Sequence, residues 1–234
     1  TWVMLAMTKT GEQWPSAFYA YPLHIWVDDC MALIVGREVF GYPKYLCSYA
    51  MPGPDDPPDR FHLAAKGFQP FAPETEMSVH PLLGVAATVG ADRVKRVREI
   101  AEWRRHLLDS LHAHAGFGGV DPGVRAAFDQ WFDQFPGLGQ IFLKQFPDAS
   151  GQRAVYQAVV VAEARVKAIH GLWLLDDEYT LDLQAFDSFP LSRTLGWALG
   201  PQPAYGGFRV DFDFQVDDGV ELVDNSQSDA ELSR

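Results

Sequence analysis

Most of this chain consists of short apolar segments separated by clusters of glycine and proline, and this alternation most restricts how it can fold. Segments of this length that are rich in β-branched and aromatic residues are typical of strands, and the clusters between them are typical of turns. We predict that the first two segments, Trp2–Met7 and 16–27, form a hairpin. The other segments are predicted to be strands, and they are 45–50, 61–71, 139–146, 154–171, 173–183 and 207–216. The pattern therefore favours a mainly antiparallel β protein.

Two stretches in the middle of the chain have helical spacing instead. Apolar residues recur every three or four positions over 91–114, interrupted at Arg104, and again over 121–135, which begins with a capping Asp121 before Pro122. We expect two helices within about 91–136, lying outside the sheets. The faces expected to pack together are Val94, Val97, Leu108 and Leu111 with Phe128, Trp131, Phe132 and Phe135.

The composition excludes several classes of protein. A chain of 234 residues that is 47% hydrophobic can build a substantial core, so disorder is excluded for most of it. Its longest apolar stretches are far shorter than the ~20 residues that a membrane-spanning helix needs, and no signal-peptide pattern is present. We expect a soluble cytoplasmic protein without a membrane partner. We also expect a single domain over 1–234, with an acidic tail that is frayed from about 217 to 234.

Charge and metal-ligand spacing exclude further classes. With 31 acidic and 19 basic residues the net charge is −12, which opposes the phosphate neutralisation on which nucleic-acid binding depends. Cys30 and Cys47 have no zinc-type spacing and suggest a reducing compartment without disulfides. His106, His112 and His114 are spaced by six and two residues, so they do not share a helix face as metal ligands. We expect no nucleic-acid partner, no metal and no cofactor.

The most specific local feature is the run Gly36-Arg37-Glu38-Val39-Phe40-Gly41-Tyr42-Pro43-Lys44. A short helix is predicted at about 29–39, because Asp28 and Asp29 can cap its first amides and Gly41 with Pro43 can end it. The break delivers one lysine, Lys44, to the start of a strand among aromatic and aliphatic residues. Lys44 is therefore predicted to be largely buried and to point into the interior of the β-structure.

This run resembles the hallmark of the acetoacetate decarboxylase-like family, a Gly-Arg-Glu helix that continues into Gly-aromatic-Pro-Lys. The segment 21–27 is similar to the strand that leads into that helix, and 142–148 is similar to the family's Leu-Lys-x-aromatic-Pro segment. The resemblance implies an α+β fold, mainly antiparallel, that forms a closed or cone-like β-barrel. The helical stretch at 91–136 would be an insertion into that fold.

The resemblance also implies a chemistry in which Lys44 forms a Schiff base with a small oxo acid. A neutral amine adds to a ketone and loses water, and the resulting iminium withdraws electrons so that carbon dioxide or a proton can leave, as in acetoacetate decarboxylase. A lysine with the reference pKa of about 10.4 is almost entirely protonated at pH 7, so the site must lower this pKa by ~3 units. Burial among Phe40, Tyr42 and Tyr45 would contribute through desolvation.

The residues next to Lys44 differ from the family pattern. The decarboxylases follow the reactive lysine with a second lysine, whose charge lowers the first pKa, whereas this chain has Tyr45. Arg37 is a candidate for the missing positive charge, and Glu38 for moving protons or orienting Arg37. The alternative for these two residues is a partly buried ion pair or a charge pair at a helix end. Lys144 is interpreted as a structural lysine.

Two functions therefore remain open. The first is a cofactor-independent lyase that acts through Lys44, by decarboxylation or by pyruvate aldolase-dehydratase chemistry. Because Tyr45 replaces the second lysine, acetoacetate decarboxylation is expected to be weak or absent. The second is a non-catalytic β-barrel that binds a small carbonyl compound.

Two further expectations accompany these functions. A homo-oligomer is expected. The family's upstream portion, with an arginine and carboxylates near its active site, has no counterpart before Thr1, so either the chain extends upstream or those roles are lost.

Overall fold

The computed structural model describes residues 2–7, 17–88, 95–114, 137–175, 179–204 and 207–225, and five positions between 122 and 129. Most of these residues lie in strands. The strands are β1 (Trp2–Met7), β2 (Ala17–Pro22), β3 (Ile25–Val27), β4 (Lys44–Ala50), β5 (Arg60–Gly67), β6 (Ser78–Ala87), β7 (Lys95–Arg96), β8 (Gly137–Pro147), β9 (Ala154–Leu174), β10 (Tyr179–Leu183), β11 (Gly200–Ala204), β12 (Phe208–Val216) and β13 (Val220–Asp224). The helices are α1 (Cys30–Val35), a π-helix (Gly36–Phe40), α2 (Ile100–His114) and α3 (Leu191–Leu195).

The first of two compact units comprises residues 1–45, 121–167 and 213–234. Its strands have the order β1-β2-β8-β9, and β13 pairs with β9. These pairs are antiparallel except β2 with β8, which is parallel through Ala20 and Gln140. The predicted hairpin is confirmed, and a core of Tyr42, Phe142 and Ala162 packs against Ile25, Phe40 and Val216.

The second unit comprises residues 46–120 and 168–212. Its strands have the order β11-β10-β6-β5-β4, and every pair is antiparallel. Along β5 the side chains of Leu63 and Ala65 are buried, whereas His62 and Lys66 are exposed. This alternation is expected of a strand that has a core on one face and water on the other. The prediction of a mainly antiparallel α+β protein is confirmed.

The predicted closed or cone-like β-barrel is not found among the described residues. In each unit the strand order is linear and does not return to its first strand. Apolar alternation predicts where strands form and which face is buried, but closure depends on register and pairing between strands that are distant in sequence. The sequence pattern could not determine that pairing.

The helical insertion begins later than its periodicity predicts. Lys95 and Arg96 form β7, which pairs with Trp173 and Leu174 of β9, and the Val97 amide donates a hydrogen bond to the Leu172 carbonyl. Helix α2 therefore starts at Ile100 and not at 91, because pairing with β9 replaces the helical hydrogen bonds of these residues.

The predicted second helix at 121–135 is described only in part. Residues 122, 123, 125, 126 and 129 are helical. The aromatic face expected to pack on α2, with Phe128, Trp131, Phe132 and Phe135, lies outside the described residues. That packing stays a prediction.

The C-terminal segment is ordered further than expected. Strand β13 pairs with β9, and the Asp217 amide donates to the Glu163 carbonyl, so the prediction of fraying from 217 is wrong as far as Asn225. Pairing that involves a distant strand compensates for the polar composition of this segment. Residues 226–234 lie outside the described part of the chain.

Strand boundaries elsewhere also differ from the predicted ones. The predicted strand at 173–183 is divided, because β9 ends at Leu174 and β10 begins at Tyr179. Strands β6 and β11 and helix α3 were not predicted. In β6, Pro81 argues against a strand, but the register shift between Leu63 and Ala64 forms a bulge in which proline is tolerated.

No helix of the described residues is long and apolar enough to cross a membrane.

Candidate functional site

Helix α1 begins as its sequence predicts, and the helical segment that it opens ends at Gly41, also as predicted. The Asp29 carboxylate caps it by accepting a hydrogen bond from the Ala32 amide at 2.6 Å. The chain then widens into the π-helix, where the Gly41 amide donates to the carbonyls of both Gly36 and Arg37 at 3.1 Å. Gly41 has φ of 86°, in the left-handed region that glycine adopts without strain, and this ends the helix. Such widened turns occur frequently at functional sites.

Gly41 also sets how closely the helix end approaches strand β8. A Cβ atom added to Gly41 would lie 2.7 Å from Cα and 2.9 Å from Cβ of Lys144. These atoms belong to the backbone and the root of a side chain and cannot move aside. The absence of a side chain at Gly41 therefore lets the helix end lie directly on β8.

Tyr42 anchors the segment between the helix and Lys44. Its side chain is only 8% exposed, and its hydroxyl donates a 2.6 Å hydrogen bond to Oε1 of Gln140, which is itself 4% exposed. The Tyr42 and Phe142 ring centroids are 4.2 Å apart. Burial raises the pKa of Tyr42 well above its usual value of 10, so the hydroxyl keeps its proton. The segment is thereby fixed on β8 through residues that sequence analysis did not connect.

Lys44 folds back over the end of the helix. Its Nζ donates a 2.8 Å hydrogen bond to the Ala32 carbonyl and lies 5.2 Å from the centroid of the Tyr42 ring. Cδ, Cε and Nζ of Lys44 pass over Gly36, where an added Cβ would lie only 2.6–2.7 Å from them. Lys44 is partly and not largely buried, because its chain covers the helix end and does not enter a closed barrel. Burial nevertheless lowers the pKa of its amine below the ordinary 10.5.

Arg37 and Glu38 are both exposed, and no ion pair joins them. The Arg37 guanidinium instead donates a 3.0 Å hydrogen bond to the carbonyl oxygen of Lys44. The helix end thus brings a permanent positive charge to the backbone of Lys44. The alternative interpretation of Arg37 and Glu38 as an ion pair is therefore not supported.

Tyr45 lies in an aromatic cluster. The centroid of its ring is 5.8 Å from that of His24 and 6.1 Å from that of Trp26, and the His24 and Trp26 rings are stacked at 5.3 Å. Burial is the main cause that lowers the pKa of His24, which favours the neutral imidazole near pH 7. Sequence analysis missed His24 and Trp26, although their spacing by two along an extended segment places them on one face.

Lys144, as expected, contacts structural groups. Its Nζ lies 5.5 Å from the centroid of the Phe146 ring and 5.4 Å from that of Tyr156. The Tyr156 hydroxyl donates a hydrogen bond to the Glu221 carboxylate, and this bond is the largest contribution that raises the Tyr156 pKa to about 12. Lys144 therefore stabilises the surface of β8 and β9, and its backbone supports Gly41.

Metal ligands and thiols do not form a site among the described residues. No group of three or more His, Cys, Asp or Glu residues could hold a metal ion within that part of the chain. Cys30 and Cys47 form no disulfide.

Two clefts of about 550 and 590 Å³ lie in the second unit. The first is lined by residues of the β4–β5 region that include Met51 and Arg60, and the second by strand residues that include Ser48, His62 and Asp182. Neither cleft is lined by Lys44.

The family model for acetoacetate decarboxylase (ADC) matches residues 4–67, which include the whole run from Gly36 to Lys44. The predicted resemblance to the acetoacetate decarboxylase family is confirmed. No curated protein matches the chain.

Two solved acetoacetate decarboxylases are similar in fold to this chain. One comes from structural studies of acetoacetate decarboxylase and is 12% identical to this chain, with a TM-score of 0.53. The match covers 95% of this chain and 67% of that decarboxylase chain. Another, from Legionella pneumophila subsp. pneumophila str. Philadelphia 1, is 11% identical with a TM-score of 0.52, covering 89% of this chain and 62% of its own. The chain thus spans about two thirds of the first structure and less of the second.

Proposed function

We propose that this protein is a cofactor-independent lyase that forms a Schiff base between Lys44 and a small oxo acid. The observation that carries this proposal is the amine of Lys44, held over Gly36 with a pKa lowered by burial. A lower pKa increases the fraction of neutral amine, which is the nucleophile. The amine lies in the segment that the family model matches.

The reaction proceeds in balanced steps. The nitrogen lone pair of Lys44 attacks the ketone carbon of the oxo acid, and the carbinolamine loses water to give a protonated imine. The electrons of a neighbouring carbon–carbon or carbon–hydrogen bond then move toward that nitrogen, releasing carbon dioxide or a proton and leaving an enamine. The enamine carbon then takes up a proton, or it attacks the carbonyl carbon of an aldehyde, whose oxygen takes up a proton. In the aldehyde case the new hydroxyl leaves as water together with a proton from the former enamine carbon. Water finally hydrolyses the imine to regenerate the amine.

Arg37 and Glu38 have roles in this proposal that match their exposure. The Arg37 guanidinium has donors beyond the one that it gives to the Lys44 carbonyl, and a guanidinium pairs well with a carboxylate. We assign Arg37 to the carboxylate of the oxo acid and Glu38 to proton exchange with water. Tyr42, held by Gln140, keeps the backbone before Lys44 in place.

The neighbourhood of Tyr45 favours pyruvate aldolase-dehydratase chemistry over acetoacetate decarboxylation. The position of the family's second lysine is occupied by an aromatic ring that lies beside His24 and Trp26, tilted by 34° to the first and 35° to the second. That cluster adds no ammonium charge to depress the pKa of Lys44 further. We expect carbon dioxide release from acetoacetate to be weak, and an ultraviolet-absorbing product to form from pyruvate with an aromatic aldehyde. Rapid acetoacetate turnover without an aldehyde-dependent product would contradict this preference.

Trapping with borohydride tests the proposal directly. Borohydride reduces an imine to a stable secondary amine, so incubation with pyruvate is expected to add one reduced adduct to the wild-type chain, mapped to Lys44 by peptide mass. Lys44→Ala should abolish the adduct. Lys66→Ala removes an exposed lysine of β5 and should leave it unchanged. Labelling that persists in Lys44→Ala would assign the nucleophile to another lysine.

The second candidate function is a non-catalytic protein that binds a small carbonyl compound. The cleft of about 590 Å³ in the second unit favours it, because this cleft is large enough for a small molecule and no lysine lines it. If neither pyruvate nor acetoacetate is trapped by borohydride, while a carbonyl compound binds in calorimetry and His62→Ala weakens that binding, this function replaces the first.

Self-association and a cytoplasmic location are also retained as proposals. Sedimentation equilibrium tests the first, and fractionation of the source cells tests the second.

A further inference from the structure

We infer that Gly36 is a positioning residue for Lys44. The space left by its missing side chain is the groove in which the lysine chain lies, and its catalytic meaning rests on the proposed function. Gly36 is buried, and an added Cβ would lie 2.6 Å from Cδ, 2.6 Å from Cε and 2.7 Å from Nζ of Lys44. Three consecutive heavy atoms of the Lys44 side chain therefore surround the position that a Cβ of residue 36 would occupy.

The backbone does not require glycine at this position. Gly36 has φ of −61° and ψ of −43°, which are ordinary right-handed helical angles that any L-residue adopts. Alanine favours a helix more than glycine does, so glycine here weakens the helix. Gly41, five residues later, is different because its φ of 86° selects glycine. The space that Lys44 occupies is thus the feature that distinguishes Gly36 from alanine.

A side chain at Gly36 would displace the lysine and leave the fold in place. The three atoms that the added Cβ would meet belong to the far end of a flexible side chain and not to the backbone. In moving away, Nζ would lose its 2.8 Å hydrogen bond to the Ala32 carbonyl and its position over the Tyr42 ring. It would also gain contact with water, which stabilises the charged amine.

Competitive labelling measures this effect without a substrate. Trace acetic anhydride acetylates neutral amines, so the labelling of the Lys44 peptide as a function of pH gives the pKa of this residue. In Gly36→Ala we expect the titration to move to higher pH than in the wild type, with less labelling at neutral pH. Gly171→Ala is the control, because its added Cβ would meet nothing closer than 3.6 Å. An unchanged Lys44 titration in Gly36→Ala would overturn the inference.

A double-mutant cycle tests the steric basis separately. When Lys44→Ala empties the groove, Gly36→Ala should raise the urea midpoint, because alanine favours the helix and displaces nothing. With Lys44 present, the same substitution should give a smaller increase or a decrease. Non-additivity of this sign supports the inference. Additive effects, with equal midpoint shifts in both backgrounds, would overturn it.

These measurements separate the positioning role from the proposed function. Borohydride trapping with pyruvate in the same variants reports on catalysis, and in Gly36→Ala its pH profile should move to higher pH with the Lys44 titration. If the wild type traps no oxo acid while the titration shift and the non-additivity are both observed, the proposed function fails and the role of Gly36 stands.

Discussion

Lys44 is held by groups that lie close to it in the sequence. The Ala32 carbonyl, the bare Cα of Gly36 and the ring of Tyr42 all belong to the preceding helix and turn. Together they remove water from one side of the amine without placing a carboxylate beside it. The residue therefore combines partial burial with a disfavoured positive charge, which is what an amine nucleophile needs.

The lowered pKa of Lys44 predicts a pH dependence of stability. Between the lowered folded-state pKa and the ordinary 10.5, the unfolded chain binds more protons than the folded one, so the free energy of unfolding rises with pH in this window. Lys44→Met should lack this rise. Urea unfolding gives the free energy of unfolding near pH 7 and near pH 10. We expect this free energy to gain less between the two pH values in Lys44→Met than in the wild type. Identical pH profiles would contradict the desolvation of the amine.

Tyr42→Phe is expected to destabilise the fold. It removes the hydroxyl that satisfies Oε1 of Gln140 and leaves this buried acceptor without its partner, at a cost of about 1–3 kcal/mol. Gln140→Leu in the same chain should recover part of the loss, as measured by urea unfolding.

Because burial raises the Tyr42 pKa above 10, the wild type should also lose stability above pH 10, and Tyr42→Phe should lose less. Equal losses would show that Tyr42 ionises freely in the folded state.

At the level of elements, the π-helix determines where the chain leaves the helix and meets strand β8. The Gly36 carbonyl accepts hydrogen bonds from the amides of Gly41 and Tyr42, so the chain makes one wide turn before it ends. This turn places Gly41 on the backbone of Lys144 and the Tyr42 side chain against Gln140 and Phe142. The geometry of Lys44 thus depends on the contact between one helix end and one strand.

Gly41→Ala should disrupt this contact. Alanine at a φ of 86° costs about 1–2 kcal/mol, and the added Cβ would also lie 2.7 Å from Cα of Lys144. The matched control is Gly196→Ala, which has φ of 71° and nothing within 4 Å of the added Cβ. The free energy of unfolding should fall further in Gly41→Ala than in Gly196→Ala, and borohydride trapping should fall only in Gly41→Ala. Equal stability losses in the two variants would mean that the close approach of Gly41 to β8 adds nothing to the cost of alanine at a positive φ.

For the whole molecule, the notable property is that each compact unit is assembled from separate chain segments. The first contains three segments and the second two, and strands β4, β9 and β12 each contribute residues to both. No single cut in the chain would release either unit intact. The prediction of one domain over 1–234 stays a prediction, which cooperativity can test.

We expect the two units to unfold together, because continuous strands connect their segments. Leu183→Ala removes a side chain that is 1% exposed in the second unit and should cost about 2–5 kcal/mol. Hydrogen exchange followed by mass spectrometry should then accelerate in core strands of both units, including β8. Leu199→Ala, at a leucine that is 54% exposed, is the control and should change neither. Acceleration confined to the second unit would show that the units unfold independently.

Local signals in the sequence were sufficient for the features that neighbouring residues determine. The cap at Asp29, the helix stop at Gly41, the first hairpin and the emergence of Lys44 at the start of a strand were all predicted, and the structure has them. Each depends on backbone preferences and hydrogen bonds between residues close along the chain. The Gly-Arg-Glu to Pro-Lys run is also contiguous in the sequence, so its resemblance to a family motif could be seen without knowing the fold.

Tertiary structure alone decided the features that depend on residues distant along the chain. Lys95 and Arg96 are helical by periodicity but pair with β9, and the polar segment after 217 is ordered by pairing with the same strand. The strand order of each sheet, which does not close into a barrel, also depends on pairing between distant segments. The contact of Tyr45 with His24 and Trp26 likewise depends on the tertiary fold. Pairing and side-chain contact satisfy polar groups and bury surface across the chain, and these energies exceed the weak local preferences that a sequence pattern expresses.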